Sequence, residues 1–243
     1  MKNKGLSICI RNMKSGEGYF EDDKKIYSAQ SIIKLPILLS ILDQVSLEEI
    51  HRLHITLQEE DKVPGCGALK AMDSGMDFSL YSLAELMISL SDNTATNMLI
   101  DYFGVPWYKS IFGKMGLRDT QLNRKLFDAE KQAQGIDNYF SCDEISLLLE
   151  KIFVSTYTNR NDSYALSTDF LLKQQINHKL ANELFDVGKV AHKTGESTGI
   201  SHDVGVVFSD IPYTFVFASQ NVNVDETEEY FRFLSKGMAL GKY

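Results

Sequence analysis

Ser31 and Lys34 lie three residues apart in Ser31-Ile32-Ile33-Lys34, a spacing that sets both side chains on one face of a helix. A serine hydroxyl is a weak nucleophile and needs a base beside it. A lysine buried near other cations can lose its proton and act as that base. Two further triplets follow in order, Ser91-Asp92-Asn93 and Lys193-Thr194-Gly195. A second serine and a second lysine suit the step that delivers a proton to a departing nitrogen. Together the three motifs read as one site for acyl transfer through a serine ester.

Chance weighs differently on each motif. At ordinary residue frequencies an S-x-x-K arises about once in a chain of this length, and S-D-N and K-T-G only about 0.05 times each. The ordered trio is therefore informative where the first motif alone is not. It is the signature of class A β-lactamases and penicillin-binding proteins, and the chain resembles the class A β-lactamase family of penicillin-recognising serine enzymes. The likeness runs from about residue 5 to the end. Residues 31–39 resemble the family's nucleophile helix and residues 86–97 its second motif. His192-Lys193-Thr194-Gly195 with His202-Asp203-Val204-Gly205 resembles its third motif and the following strand.

The resemblance implies a role for each residue. Ser31 is the acylated nucleophile and Lys34 its proton acceptor, while Ser91 relays the proton to the leaving nitrogen. Lys193 and Thr194 hold a substrate carboxylate. Asn93 bonds a substrate amide and braces Lys34, and Gly195 keeps a strand edge clear for the acyl chain. The oxyanion hole is formed by the backbone N–H groups of Ser31 and Glu196. Asp92 is expected to satisfy turn N–H groups rather than touch substrate. No cofactor and no metal are implied, and the substrate class is a small β-lactam or a peptide.

Two departures stand out. Glu196 follows K-T-G where a small or neutral residue is usual, and its carboxylate would repel an anionic substrate if it turned inward. Family β-lactamases also carry a loop of the form Arg-x-Glu-Pro-x-Leu-Asn, whose glutamate positions the water that clears the acyl-enzyme. Here Arg124 matches the arginine, but Leu126 stands at the glutamate and no Pro-x-Leu-Asn follows. Asp128 and Glu130 are the nearest carboxylates and the candidate deacylation bases. The expected function is a serine hydrolase of the class A β-lactamase type, acylated at Ser31 and deacylating slowly. The alternatives are a D-Ala-D-Ala peptidase or esterase-like enzyme, a glutaminase-like hydrolase, and a non-catalytic penicillin-binding sensor.

The elements that must position these residues are read from periodicity. Residues 6–10 alternate as a strand, and a turn at 14–18 leads to a second short strand near 25–27. Residues 32–45 suit a buried helix, with Pro36 tolerated in its first turns. Ser46 starts a short capped helix, and residues 59–75 read as loop. Helices are expected over 79–90, 94–102, 107–115, 143–153 and 168–176. Strand-like runs follow at 189–194, 204–209 and 213–219, and acids from Asp225 cap a last helix to about 240. Two strands at the start and three at the end imply one antiparallel sheet assembled from both termini. The fold class is α/β in the α+β sense, β-lactamase-like, with a five-stranded antiparallel sheet flanked by helices plus an all-helical region. One unit over 1–243 is expected, with a sheet lobe from about 1–30 and 188–243 and a helical lobe from about 31–187.

Bulk properties narrow the partners. The 243 residues carry a net charge of -8, with 44% hydrophobic and 24% charged residues, ordinary for a globular chain. No basic cluster points to nucleic acid. Arg11 cuts the first apolar run too short for a signal peptide, and no stretch approaches the ~20 apolar residues of a membrane span. Cys9, Cys66 and Cys142 lack metal-site spacing and cannot form a complete disulfide framework. His192 and His202 are expected to be structural, because the lysine-based trio already supplies the acid–base groups.

Overall fold

The computed structural model describes residues 5–160 and 162–242. Residues 1–4, 161 and 243, which the expected lobes include, lie outside the described residues. The chain opens with β1 (Leu6–Asn12), β2 (Gly18–Glu21) and β3 (Ile26–Ser28), then a 3-10 turn over Gln30–Ile33 that runs into α1 (Lys34–Gln44). It continues through α2 (Leu47–Arg52), β4 (His54–Thr56), β5 (Asp77–Ser79), α3 (Leu80–Ser89), α4 (Asn93–Phe103), α5 (Val105–Met115) and α6 (Ala129–Ala133). After β6 (Tyr139–Ser141), α7 (Cys142–Tyr157) and α8 (Ser163–Leu171) come β7 (Lys189–Ser197), β8 (Ile200–Phe208), β9 (Tyr213–Ser219) and α9 (Val224–Ala239).

Both ends of the chain build one five-stranded antiparallel sheet in the order β2-β1-β9-β8-β7. Its faces follow from the two-residue strand period. Ile8 and Ile10 of β1 and Phe215 and Phe217 of β9 pack with Phe231, Leu234 and Met238 of α9. The alternate residues Cys9, Val216 and Ala218 turn to the opposite face and join the larger core with Ile37, Leu38, Ile41, Leu83, Leu99 and Leu149 of the helices. A sheet covered on both faces has little reason to place polar residues in its strands, which is why β9 reads as an almost unbroken apolar run.

Local chemistry sets most helix boundaries. Ser46 and Glu49 form a reciprocal capping box at α2, as the sequence anticipates. Ser79 caps α3, and α5 ends at Gly116 in a left-handed conformation.

Four expectations are corrected. The second strand of the sheet is β2 (Gly18–Glu21). The segment expected near 25–27 instead pairs with β6 in a separate ribbon, Tyr27 opposite Phe140. The helix placed at 168–176 lies earlier, as Ser163–Leu171, because Asp162 caps it by accepting the Ala165 N–H. Its end is fixed by Gln174, whose side chain accepts from the N–H groups of Gln175 and Ile176 and donates to the Ile88 carbonyl. The last helix is capped by Asn223, with Asp225 and Glu226 in its first turn. The helix expected over 32–45 starts at Lys34, so Ser31 sits in the preceding 3-10 turn.

Two buried histidines tie the sheet to its surroundings. His192 Nδ1 lies 2.9 Å from Asp203 Oδ1, and its Nε2 lies 2.8 Å from Asn177 Oδ1. This pins residues 177–180 against β7 and β8. His202 is fully buried; its Nε2 donates to the Ser28 carbonyl at 3.1 Å and its Nδ1 accepts the Ser219 N–H at 3.2 Å. A neutral ring with its proton on Nε2 satisfies both bonds. Burial pushes this imidazole down to about 3 from its ordinary 6.5.

The unfolded chain therefore binds one more proton than the native one between about pH 3 and 6.5, so His202 costs stability as pH falls through that window. Replacing His202 with Asn should flatten the slope of unfolding free energy against pH there, by at most one proton, ~1.4 kcal/mol per pH unit. Urea midpoints at several pH values measure this, and equal slopes in the two proteins would place the acid sensitivity elsewhere.

Candidate active site

The 3-10 turn presents Ser31 at the mouth of a cleft of about 260 Å³, between β7, the start of α4 and residues 124–138. Lys34, the first residue of α1, is fully buried behind it. Its Nζ is 3.0 Å from Ser31 Oγ, 3.0 Å from Ser91 Oγ, 2.7 Å from the Ser91 carbonyl and 2.8 Å from Asn93 Oδ1. Burial and the charge of Lys193 hold this amine well below the usual lysine range. The amine is thus placed beside the Ser31 hydroxyl in surroundings that favour loss of its proton.

Ser91 Oγ bridges the two lysines. It lies 2.9 Å from Ser31 Oγ and accepts from Lys193 Nζ at 3.0 Å. Lys193 also donates to the Thr194 carbonyl at 2.8 Å. It too is fully buried, and burial followed by the charge of Lys179 pushes it down to about 7. Ser91 itself is held at φ 53°, in the left-handed region a serine rarely enters. Asp92 sustains that turn: it caps α4 by accepting the Ala95 N–H and accepts the N–H groups of Ala68 and Leu69 at 2.6 and 2.9 Å. A Cβ at Gly67, where φ is +117°, would lie 2.2 Å from the Asp92 carboxyl carbon, so only glycine allows this approach.

Gly195 brings the edge strand against the 3-10 turn that carries Ser31. A Cβ there would lie 3.3 Å from the Ser31 nitrogen and 3.2 Å from Ile32 Cγ1. Thr194 is buried and lines the cleft with Gly195 and Glu196. The Glu196 carboxylate lies 3.3 Å from the buried Lys179 ammonium, and His178 is 3.8 Å away. His178, Glu196 and Glu228 would be the metal-ligand set among the described residues, but Lys179 already places its cation between the two carboxylates, 3.8 Å from Glu228.

The 124–137 loop is bound by a polar stripe on α4. Asn93, Asn97 and Asp101 recur every four residues and share one face. Asn93 reaches Lys34 and donates to the Pro64 carbonyl; Asn97 accepts the Leu126 N–H at 2.8 Å and donates to its carbonyl at 2.9 Å; Asp101 pairs with Lys125 at 2.8 Å. Arg124 closes the loop through Asp137, with nitrogens 3.1 and 2.6 Å from one carboxylate oxygen. Leu126 and Phe127 line the cleft together with Gln132.

Asp128 caps α6 by accepting the Lys131 N–H, and Glu130 is exposed; neither is among the cleft-lining residues. The sequence reading missed Asn97, Asp137, Gln132, Phe127 and Lys179. The four-residue spacing from Asn93 could have found Asn97. Asp137 and Lys179 carry no local signal, because their partners are distant in the chain.

A sheet built from both chain ends, with a serine and two buried lysines gathered at its edge strand, fits the fold of a serine hydrolase. The chain belongs to the beta-lactamase enzyme family, whose family model matches residues 1–238. Among solved structures it is similar to the beta-lactamase of Sphaerobacter thermophilus, with a TM-score of 0.85 and 24% identity over 98% of this chain and 91% of that one. PBP-A aligns with a TM-score of 0.85 and 25% identity over 97% of this chain and 89% of its own. A leucine-to-glutamate mutant of PBP-A, described as an acyl-enzyme complex with penicillin G, aligns at 0.84 and 25% over the same shares. No curated protein sequence matches significantly.

Asn97→Ala should release the loop without unfolding the protein. Loss of two hydrogen bonds costs about 1–3 kcal/mol, and amide exchange should quicken at residues 125–127 while α4 stays protected. Unchanged exchange there would show that Arg124 and Asp137 suffice.

Proposed function

We propose that the protein is a serine acyl-enzyme-forming hydrolase that opens β-lactam amides and releases the product slowly. The observation that carries this reading is the contact chain Lys34 Nζ–Ser31 Oγ–Ser91 Oγ–Lys193 Nζ, whose successive separations are 3.0, 2.9 and 3.0 Å. Ser31 Oγ attacks the lactam carbonyl carbon while Lys34 takes its proton. The N–H groups of Ser31 and Glu196 receive the developing oxyanion. The proton then passes from Lys34 through Ser91 to the lactam nitrogen as the C–N bond breaks, leaving an ester on Ser31 and a ring-opened amine. Lys193 and Thr194 bind the substrate carboxylate, and Asn93 bonds the side-chain amide.

Release of the ester needs a water and a group to take its proton. Leu126 lines the cleft where the family resemblance calls for a glutamate. The cleft-lining carboxylates Asp137 and Glu196 are each held by a cation, and the Gln132 amide is no base. This favours a long-lived acyl-enzyme and leaves Asp128 and Glu130 without a part in the resting geometry. The leucine-to-glutamate mutant of PBP-A, an acyl-enzyme complex with penicillin G, makes the same exchange the natural test here.

Wild-type protein should give a fast burst with penicillin G and an adduct visible by mass spectrometry, and Ser31→Ala should give neither. Leu126→Glu should raise the release rate by about 10²–10⁴-fold, the usual contribution of a general base. Fast wild-type turnover without an adduct would overturn slow release, and labelling of Ser31→Ala would overturn the nucleophile.

Burial and the Lys179 charge push Lys193 down to about 7, so its amine loses its charge as pH rises past that value. Capture of a carboxylate-bearing penicillin should therefore weaken as pH rises through about 7, while capture of its methyl ester should not. Parallel pH profiles of acylation for the two compounds would remove Lys193 from carboxylate binding.

A further inference from the structure

Lys179 lies outside the three motifs and has no exposed surface. It stands on the segment that His192 and Asp203 pin to the sheet, where Asp203 also accepts the Leu180 N–H at 3.3 Å. Its Nζ donates to the Gly195 carbonyl at 3.2 Å and to the His202 carbonyl at 3.4 Å, and these residues face each other across β7 and β8. The ammonium also lies 3.3 Å from the Glu196 carboxylate and 3.8 Å from that of Glu228.

The Gly195 carbonyl and the Glu196 N–H belong to one peptide group. No peptide bond is cis among the described residues, so carbonyl and N–H point in opposite directions. The carbonyl is turned inward to Lys179. The N–H must then face the free edge of β7, the side on which Gly195 approaches the Ser31 nitrogen. A cation bonded to a carbonyl polarises the peptide and strengthens its N–H as a donor, because linked hydrogen bonds reinforce one another in a low dielectric. The same ammonium offsets a charge that would otherwise oppose the reaction: Glu196 brings a carboxylate next to the place where an oxyanion develops.

We propose that Lys179 is a positioning residue for acyl transfer, which polarises the Gly195–Glu196 peptide from behind and draws the Glu196 carboxylate away from the oxyanion. This rests on the reading of Ser31 as the nucleophile and of the Glu196 N–H as an oxyanion donor. Lys179 touches no substrate in this scheme and acts through the peptide alone.

The test uses the full chain and penicillin G carrying ¹³C at the lactam carbonyl, with the ester band of the acyl-enzyme read by difference infrared spectroscopy. Lys179→Met should move the ester band to higher frequency and slow acylation by about tenfold, less than the ~10²–10³-fold that loss of a whole oxyanion donor costs. Lys179→Arg should restore both. Adding Glu196→Gln to Lys179→Met should recover part of the rate, because the unopposed carboxylate is then gone. If Lys179→Met fails to fold, Lys179→Met with Glu228→Gln removes the uncompensated buried charge and carries the same expectation. An ester band and acylation rate equal to wild type in either folded variant would overturn the proposal. No acylation of the wild type would overturn the function on which it rests, and a loss of rate in Lys179→Met with an unmoved band would assign Lys179 a purely structural part.

Discussion

Two lysine side chains without exposed surface flank one serine hydroxyl, and placing both amines away from water is the constraint on which the site is built. A buried ammonium is costly unless oxygens surround it, and two close together repel. The protein answers with carbonyl and amide oxygens from Ser91, Asn93 and Thr194. Those oxygens converge because Ser91 is held in the left-handed region, which in turn depends on the three backbone bonds to Asp92 and on the glycine at 67. Strain at one residue thus holds the Lys34 amine beside Ser31, while burial and the Lys193 charge draw it below the usual lysine range.

The fold serves the same end. The sheet is assembled from both ends of the chain, and its edge strand β7 carries the third motif. An edge strand has an open row of N–H and C=O groups. Here the turn that carries Ser31 approaches it at Gly195, so a hydrogen-bonding edge that would otherwise be a liability becomes one wall of the cleft.

What could be read from the sequence was local. The capping serine at 46 and the strand-like runs at 189–194 and 213–219 each depend on neighbours within a few residues and lie in their expected elements. The Ser31–Lys34 spacing does bring the two side chains together, though across a 3-10 turn. The errors came where partners are remote. Residues 26–28 have the composition of a sheet strand but pair with 139–141, a choice made by tertiary contacts alone. Asp137 meets Arg124 across a loop of mostly polar residues, and nothing periodic marks it. Lys179 is an ordinary lysine in a turn-rich stretch, yet it is fully buried because β7, β8 and α9 each supply it an oxygen.

Formation and release of an ester ask different things of such a site, and the structure separates them in space. In the proposed reaction the acid–base groups for formation are those on α1, the α3–α4 connection and β7, each within hydrogen-bond reach of the next. The family resemblance looks for the group that serves release on the 124–137 loop, which α4 holds through Asn97 and Asp101. That loop is firmly attached, but the side chain it directs into the cleft at 126 is a leucine, and its carboxylates at 128 and 130 serve a helix cap and the surface. A well-anchored loop that lacks the base is therefore a difference of chemistry rather than of flexibility. Asp137, the loop carboxylate that does line the cleft, is held by Arg124, whereas a glutamate at 126 would stand on the cleft wall where Leu126 now lies.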